Sequence, residues 1–518
     1  MRATIFSLVL AVSFCCTAGA QSSSLSATNT RSLSLEESIR LALEKNLLLQ
    51  MAKVDVRGAR AVLLGAYAYY EPVFDTTVQY SEWTEPSGSV DPATGLPRPP
   101  GEYSTHLLSS GIIGTLPWGM TYDIGGDLDY FTRDAFEVEV IGTNVLGAPI
   151  TRTTRTRPGQ YTLETGIRVT QPLLRDLWTD AGRTQIRLNR ADLRISEMTL
   201  RQRIHEVVRD VMLEYYELVF ARENVLVKEK ALELAQRLAS ENRKRVEVGT
   251  LAPLDEKQAE AQSATARADL ILALQELGTQ ENLLIKLITD NYEQWQGMRV
   301  VPTDSLVAIP QSYDLPGSWV SALTFRPDFN AVKEELERQG LTVKLAYNQL
   351  FPRLDLVGSY GRKGIDSNFS PSLSQVRDDL LPRWSVGVAL SVPLGNRSAR
   401  GTYGQATALR DRVGFQVKQL HQDILVEVED AVGTAQGNFQ RVTATREARL
   451  AAEAAYDAEV KKLENGKSTS FNVLSLQNDL TTARSQEIRA LADYNRALAG
   501  LYYFEGTILE KQRITVEK

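Results

Sequence analysis

Two glycine-bearing chain reversals, 217 residues apart, limit this 518-residue chain to very few architectures. Arg245-Val-Glu247-Val-Gly249-Thr250-Leu-Ala-Pro253-Leu254-Asp255 ends one long helical pattern and starts another. Lys462-Leu-Glu464-Asn-Gly466-Lys467-Ser-Thr-Ser470-Phe471-Asn472 does the same. Aligned without a gap, base meets base, Glu meets Glu, Gly meets Gly and Asp meets Asn. Glycine enters the left-handed region cheaply and so ends helices. Proline suits the first turn of a helix, where its missing N–H costs nothing. Each copy therefore reads as the tip of an antiparallel helical hairpin, and the gapless recurrence reads as an internal repeat.

The helix before the first tip is predicted over residues 182–248 without a break. Ile204, Val208, Val211, Tyr215, Leu218, Arg222 and Val225 step by four and three, a heptad seam. Some 67 residues at 1.5 Å each make a rod of roughly 100 Å, several times a common globular helix. The return helix is predicted from Leu254 to about Ile288. The second half places a long helix over 398–465 and its return over about 470–509. Residues 291–316, with Trp295 and three prolines, read as a linker or side lobe.

Strand patterns precede each long helix. Ser34, with Glu37 three residues on, marks a helix start by a capping box; that helix should run to about Tyr69 and stop before Pro72. Phe74, Thr76, Val78 and Tyr80 then alternate with Asp75, Thr77 and Gln79. Residues 84–102 read as loop, 104–116 and 119–132 as a hairpin around Pro117-Trp118-Gly119, and 133–159 as polar and irregular. Tyr161–Gln171 alternates again, ending at Pro172. In the second half, 353–361 and 384–392 alternate likewise. Ser318–Tyr360 matches Ser38–Tyr80 at an offset of 280, with Pro352 on Pro72, Asp355 on Asp75 and Tyr360 on Tyr80. From Pro72 to Pro172 is 100 residues and from Pro352 to Pro393 is 41, so the first half carries 59 extra between its strands. The predicted division is a signal peptide over 1–20, a flexible lead over 21–33, a first repeat over 34–316 with insertion 84–159, a second repeat over 317–510, and a tail over 511–518.

The first 20 residues have the form of a secretory signal: Arg2, an apolar run from Ile5 to Phe14, and Ala18-Gly19-Ala20 for cleavage. Both cysteines, Cys15 and Cys16, lie inside it, so no disulfide is expected afterwards. No later run of about 18 apolar residues offers a membrane-spanning helix. An exported chain of this kind either stays soluble outside the cytoplasm or crosses a membrane as strands. With 58 Lys and Arg against 64 Asp and Glu, the net charge of −6 leaves no basic footprint for nucleic acid.

Each half thus gives two core strands, four per chain. Four cannot close a barrel, which needs about eight, and an open sheet would leave exposed edges. Three chains pooling four strands each would supply twelve. Tyr67, Tyr69, Tyr70, Trp83, Trp118 and Trp384 lie near strand ends, where bilayer-interface aromatics belong.

At this point the chain resembles the TolC-like outer-membrane efflux factor family over nearly all of its mature length. The resemblance rests on Leu35-Glu36-Glu37-Ser38 with Leu41-Ala42-Leu43-Glu44-Lys45-Asn46, on Arg326-Pro327-Asp328, on Leu350-Phe351-Pro352-Arg353-Leu354-Asp355-Leu356, and on both tips. It implies a membrane β-barrel plus a long α-helical barrel: a homotrimer with a 12-stranded barrel in outer-membrane lipid and helices in the periplasm. It implies an export conduit joined to a periplasmic adaptor and an inner-membrane pump. The tips, Arg245, Glu247, Gly249 and Thr250 with Lys462, Glu464, Gly466 and Lys467, would then be the adaptor-docking and gating end. The family's two aspartates just after the second tip, which ring the closed pore, fall here on Asn472 and Ser475. At the tips Arg245 with Glu247, and Lys462 with Glu464, can form charged pairs within or between hairpins.

No catalytic pattern appears. His106, His205 and His421 have no recurring ligand spacing, and His205 and His421 are expected at surfaces or interfaces of long helices. There is no nucleophile elbow, P-loop or HExxH. Asp75 and Asp355 read as lumen-facing strand residues. No enzyme activity, cofactor or metal is expected. The competing reading is a secreted coiled-coil adaptor or structural protein whose strands form a small lobe.

Overall fold

The computed structural model describes residues 29–86, 100–147, 149–250 and 252–514. The predicted signal peptide lies outside them. In chain order the elements are β1 Asn29–Leu33, α1 Leu35–Lys45, α2 Leu47–Ala66, β2 Val73–Glu85, β3 Gly101–Thr115, β4 Thr121–Arg133, β5 Ala135–Thr143, β6 Pro149–Thr156, β7 Gly159–Pro172, α3 Ala181–Glu247, α4 Pro253–Ile288, β8 Met298–Pro302, α5 Leu315–Phe325, α6 Pro327–Asn348, β9 Arg353–Asp366, α7 Phe369–Arg377, β10 Pro382–Ser391, α8 Arg397–Glu464, α9 Ser470–Phe504 and α10 Ile508–Lys511. Two short 3-10 turns fall at Tyr67–Tyr70 and Tyr292–Trp295. The chain divides into two compact units.

The first unit holds residues 211–307 and 447–492 with the N-terminal segment to Ala42. The segment expected to be a flexible lead ends as β1, which pairs in parallel with β8, the core of the expected linker. The anchor is Tyr215, fully buried on the predicted seam. Its hydroxyl donates to the Asp304 carboxylate at 2.8 Å, and the Leu33 carbonyl lies within hydrogen-bond reach of the same oxygen at 3.1 Å. Burial first, then the Asp304 bond, pushes the Tyr215 pKa up to about 12. Sequence reading missed this pairing because β1 and β8 are only five residues each and separated by hundreds. In α4, Ala259, Ala266, Ala273 and Gln280 recur every seven residues as a buried stripe, the pattern of close helix packing.

The second unit holds the sheet and the helices around it. Ser34, in the first unit, caps α1 by accepting from the Glu37 amide at 3.2 Å. The predicted single helix to Tyr69 is broken at Asn46. That side chain accepts from the Leu48 and Leu49 amides at 2.9 and 3.3 Å and starts α2. Arg326, at the α5–α6 break, is buried and pairs with Asp328 at 2.7 Å and Glu427 at 2.5 Å. Ala322, Phe329, Ile424 and Val428 form the cluster beneath it.

The strand count is the main correction. The sheet has six antiparallel strands, in the order β10-β9-β7-β4-β3-β2, and not four. The 104–132 hairpin lies inside the sheet: β3 pairs with β2, and β4 with β7. Of the 59-residue excess, β3 and β4 put 15 and 13 residues, together about half, into the wall. Nor is 133–159 irregular, since β5 and β6 form a separate hairpin. β6 alternates Thr and Arg without an apolar face, but in β5 Phe136, Val138 and Val140 alternate with Glu137 and Glu139, a period-2 signal in the sequence that marks this strand.

The two faces differ in chemistry. Phe74, Ile112, Ile124, Ile167, Tyr360 and Trp384 form one row across all six strands. Two rows on, Val78, Leu108, Leu128 and Leu163 align, and then Tyr80, His106, Tyr130 and Tyr161. Those last rings touch in sequence, with centroids 4.8, 5.9 and 4.4 Å apart. The opposite face carries Asp75, Asp123, Asp127, Glu164, Arg168, Lys363 and Arg383. Across its middle runs Gly111, Gly125, Gly166 and Gly361. A Cβ on Gly125 or Gly166 would come within 2.8 or 2.6 Å of the neighbouring strand's backbone oxygen. Only glycine lets the strands approach so closely along that row.

Candidate functional site

The two predicted tips are built alike. α3 ends at Glu247 and α4 starts at Pro253; α8 ends at Glu464 and α9 starts at Ser470. Gly249 has φ +77° and Gly466 +69°. The Gly249 amide donates to Val246 O at 2.9 Å and the Thr250 amide to Arg245 O at 2.8 Å. The Gly466 amide donates to Leu463 O at 3.1 Å and the Lys467 amide to Lys462 O at 2.9 Å. Both are Schellman caps, which satisfy the last helical carbonyls through a left-handed residue. A Cβ at either glycine meets nothing within 4 Å. The demand for glycine is thus one of backbone conformation, not of space within the chain.

Within each hairpin the charged pairs differ from those expected. Arg243, not Arg245, reaches Glu247 at 3.4 Å, and Lys462 pairs with Glu459 at 2.9 Å rather than with Glu464. The reason is helical geometry: residues two apart do not face each other, whereas those three or four apart do.

Two polar residues that sequence reading passed over organise the tips. Asn242 is almost wholly buried. Its side-chain amide donates to Asp255 O at 3.3 Å, and its side-chain oxygen accepts from the Ser470 hydroxyl at 3.1 Å. One side chain therefore ties the end of α3 to the starts of α4 and α9. Glu459 accepts from Ser468 and from Lys462. Ser468 first and Lys462 next hold its carboxyl below the usual range, and Asn472 adds a further bond. Asn242 and Glu459 are themselves 217 residues apart, so the repeat offset was the signal that could have found them. Beneath them Leu238, Ala259, Val473 and Leu474 are buried together, flanked by Tyr456, Val460 and Leu463.

Asn472 and Ser475 both lie exposed on the first turns of α9, while their neighbours Val473 and Leu474 are buried. Arg245, Glu247, Gly249, Thr250, Lys462, Glu464, Gly466 and Lys467 sit on or beside the two reversals, as the spacing predicts. The other polar candidates lie elsewhere. His205 is buried, contrary to expectation, and burial lowers its pKa to about 4. His421 faces the Phe329 ring at 6.2 Å. Asp355 is buried against Arg353 at 2.6 Å. Among the described residues no His, Cys, Asp and Glu group could hold a metal, and no helix is long and apolar enough to cross a membrane.

Comparison with known proteins gives a consistent picture. The model of the outer membrane efflux protein family matches residues 149–289 and 319–507. The outer membrane efflux protein BepC of Brucella suis is 25% identical over 321 residues, covering 60% of this chain and 64% of BepC. The cobalt-zinc-cadmium resistance protein CzcC of Cupriavidus metallidurans is 25% identical over 323 residues, covering 61% of this chain and 72% of CzcC. In fold, the chain resembles the CmeC outer membrane channel of Campylobacter jejuni with a TM-score of 0.64 and 16% identity, over 92% of this chain and 86% of CmeC. It resembles VceC of Vibrio cholerae with a TM-score of 0.63 and 18% identity, over 91% and 96%.

Proposed function

The chain belongs to the outer membrane efflux protein family, and from that membership we propose that it is the outer-membrane export conduit of a tripartite efflux or type I secretion system. It acts as a homotrimer that catalyses no reaction. Strands pooled from the three copies form the barrel, and the two halves of each chain are structural repeats. The observation that carries this reading is the sheet. One face carries apolar rows at Ile124 and Leu128 and an aromatic row at Tyr130, interrupted by one small and polar row of Thr76, Ser110, Gly126, Thr165 and Arg362, over about 27 Å from Tyr122 at 3.4 Å per residue. The other face is polar, with Asp75, Asp123, Asp127, Glu164, Arg168, Lys363 and Arg383. Outer-membrane barrels have this construction, with an apolar band about 25 Å tall bounded by aromatics.

In this reading the helical hairpins stand in the periplasm and the tips meet the periplasmic adaptor, which links the conduit to an inner-membrane pump. Arg245, Glu247, Gly249 and Thr250 and their counterparts Lys462, Glu464, Gly466 and Lys467 form that docking and gating end. Asn472 and Ser475 line the constriction without fixed charge. The ion pairs at the tips are exposed, worth about 0–1 kcal/mol each, which suits contacts that must part when the pore opens.

Fractionation tests the reading. Heat-modifiable migration in outer-membrane fractions, with a detergent-solubilised mass of three copies, is the expected result. A soluble periplasmic monomer would replace it with the coiled-coil adaptor. Asn472→Asp with Ser475→Asp should raise cation selectivity in planar bilayers while leaving adaptor crosslinking intact. An unchanged selectivity would remove these residues from the constriction.

A further inference from the structure

The sheet has two free edges, β2 and β10, and a measurable stagger between them. From the row Phe74, Ile112, Ile124, Ile167, Tyr360, Trp384, β2 extends one residue further at Val73, β3 three at Thr115 and β4 three at Thr121. β7 extends five at Pro172, and β9 and β10 seven at Arg353 and Ser391. The ends thus shift steadily, by six residues across one chain. A flat sheet has no reason to step in this way. A closed barrel does, because its strands tilt while its rim stays level.

The edges also match each other. With six antiparallel strands, β2 and β10 run in opposite directions, so β2 of one copy meets β10 of the next antiparallel. All ten residues of β10 are exposed. Level ends put Val73 opposite Ser391 of the next copy, and Glu82 opposite Pro382. That register sets Phe74 against Leu390, Val78 against Val386 and Tyr80 against Trp384 on the apolar face. It sets Asp75 against Ala389, Thr77 against Gly387 and Gln79 against Ser385 on the polar face. No residue changes side. In lipid neither edge can remain unpaired, since each free backbone group there costs several kcal/mol.

We infer that β2 of each copy pairs with β10 of the next in this register, so that three copies close an eighteen-stranded barrel whose polar, glycine-bearing face lines the lumen. This rests on the trimeric conduit proposed above. Six residues of stagger per chain give a shear of eighteen for eighteen strands. Equal shear and strand number corresponds to a tilt of about 36°, within the range of membrane barrels. Barrel diameter grows roughly linearly with strand number, so this wall is about half as wide again as one of twelve strands. It leaves an aqueous passage of porin width, fitted to bulky hydrophilic cargo.

The test is disulfide crosslinking in cells, with Cys15 and Cys16 replaced by Ser if they persist. Gln79→Cys with Ser385→Cys should link copies on oxidation, in a ladder that stops at three. Gln79→Cys with Gly387→Cys, two residues out of register, should link at least tenfold less. Thr76→Cys with Val388→Cys probes the same register from the other face should the first pair disturb folding. Asp127→Cys with Glu164→Cys should close within one copy, showing that β4 stays beside β7 in the wall. If copies link through β2 and β10 but the 127–164 pair stays open, the hairpin leaves the wall. The barrel is then twelve-stranded and the inference fails while the conduit reading stands. A ladder that runs past three, or equal linking at 385 and 387, overturns the strand number or the register. Absence of any membrane-embedded oligomer overturns the conduit reading itself.

Discussion

The two halves of the chain agree closely in helix and disagree in strand. α3 and α8 have 67 and 68 residues, and α4 and α9 have 36 and 35. Yet the first half gives the sheet four strands and the second gives two. Where helices pack by a heptad seam, an insertion in one shifts every heptad contact after it. A sheet is more permissive. A pair of antiparallel strands can be inserted between two others without reversing any neighbour, provided its faces alternate correctly. β3 and β4 meet that condition: Ile112 and Ile124 continue the apolar row, and Gly111 and Gly125 continue the glycine row.

The strongest way to break this comparison is at the glycine row. Gly166→Val puts a Cβ within 2.6 Å of the Tyr360 carbonyl oxygen, whereas Gly358→Val in β9 meets only the Val169 side chain, at an ordinary 3.4 Å. The first should abolish the heat-modifiable oligomer in outer-membrane fractions, in line with overpacking costs of about 1–3 kcal/mol or more where backbone must move. The second should leave it intact. Equal loss from both would show that the row is not the point of close approach.

The tips offer the next largest effect, and here the halves should behave alike. Gly249→Trp and Gly466→Trp each force a bulky residue to positive φ, costing about 1–2 kcal/mol locally. Oligomers should persist in the membrane while export and adaptor crosslinking are lost. Asn at either position tolerates the left-handed region better and should restore much of both. Normal export by the Trp variants would take docking away from the tips.

His205 separates the halves again, because its counterpart at the 217-residue offset is Gln422. Its folded pKa of about 4 lies below the free value of 6.5. The unfolded chain therefore binds the extra proton first, so stability is full above pH 6.5 and falls as pH drops toward 4. The full loss is about 3 kcal/mol. Thermal melts should show a smaller drop between pH 7 and 5 for His205→Gln than for the parent. Identical pH slopes would mean the imidazole is not buried neutral.

The smallest effect concerns the β5–β6 hairpin, which has no second-half equivalent. Arg155 contacts Glu102 at 2.7 Å and Asp134 at 2.5 Å, and Arg157 contacts the same two acids at 2.5 and 3.1 Å. Arg155 first, with the Glu102 amide and Arg157, holds the Asp134 carboxyl at about 2. With the folded pKa below the ordinary 3.8, the clamp is present above pH 4 and lost as pH falls toward 2. Asp134→Asn should speed proteolytic nicking within 135–156 at neutral pH while sparing the oligomer. Unchanged cleavage would make the clamp irrelevant to holding this hairpin.

Local signals determined a large part of this molecule. Gly249 and Gly466 were legible because a Schellman cap asks for one residue type at one position, whatever surrounds it. Ser34, Pro253 and the seam through Tyr215 were legible for the same reason: capping and heptad rules act within a few residues. Apolar alternation marked β2, β7, β9 and β10, and also β3 and β4. Sequence could not say where β3 and β4 go, because a strand pattern gives its faces but not its neighbours. Only the tertiary structure placed the hairpin inside the wall, aligned four glycines from four strands, and brought Asn242 to Ser470 across 228 residues. It also decided that Arg243 rather than Arg245 reaches Glu247, and that β1 joins β8. Pairings between distant segments depend on which backbone groups and side-chain volumes arrive together in space, and that information is distributed over the whole chain.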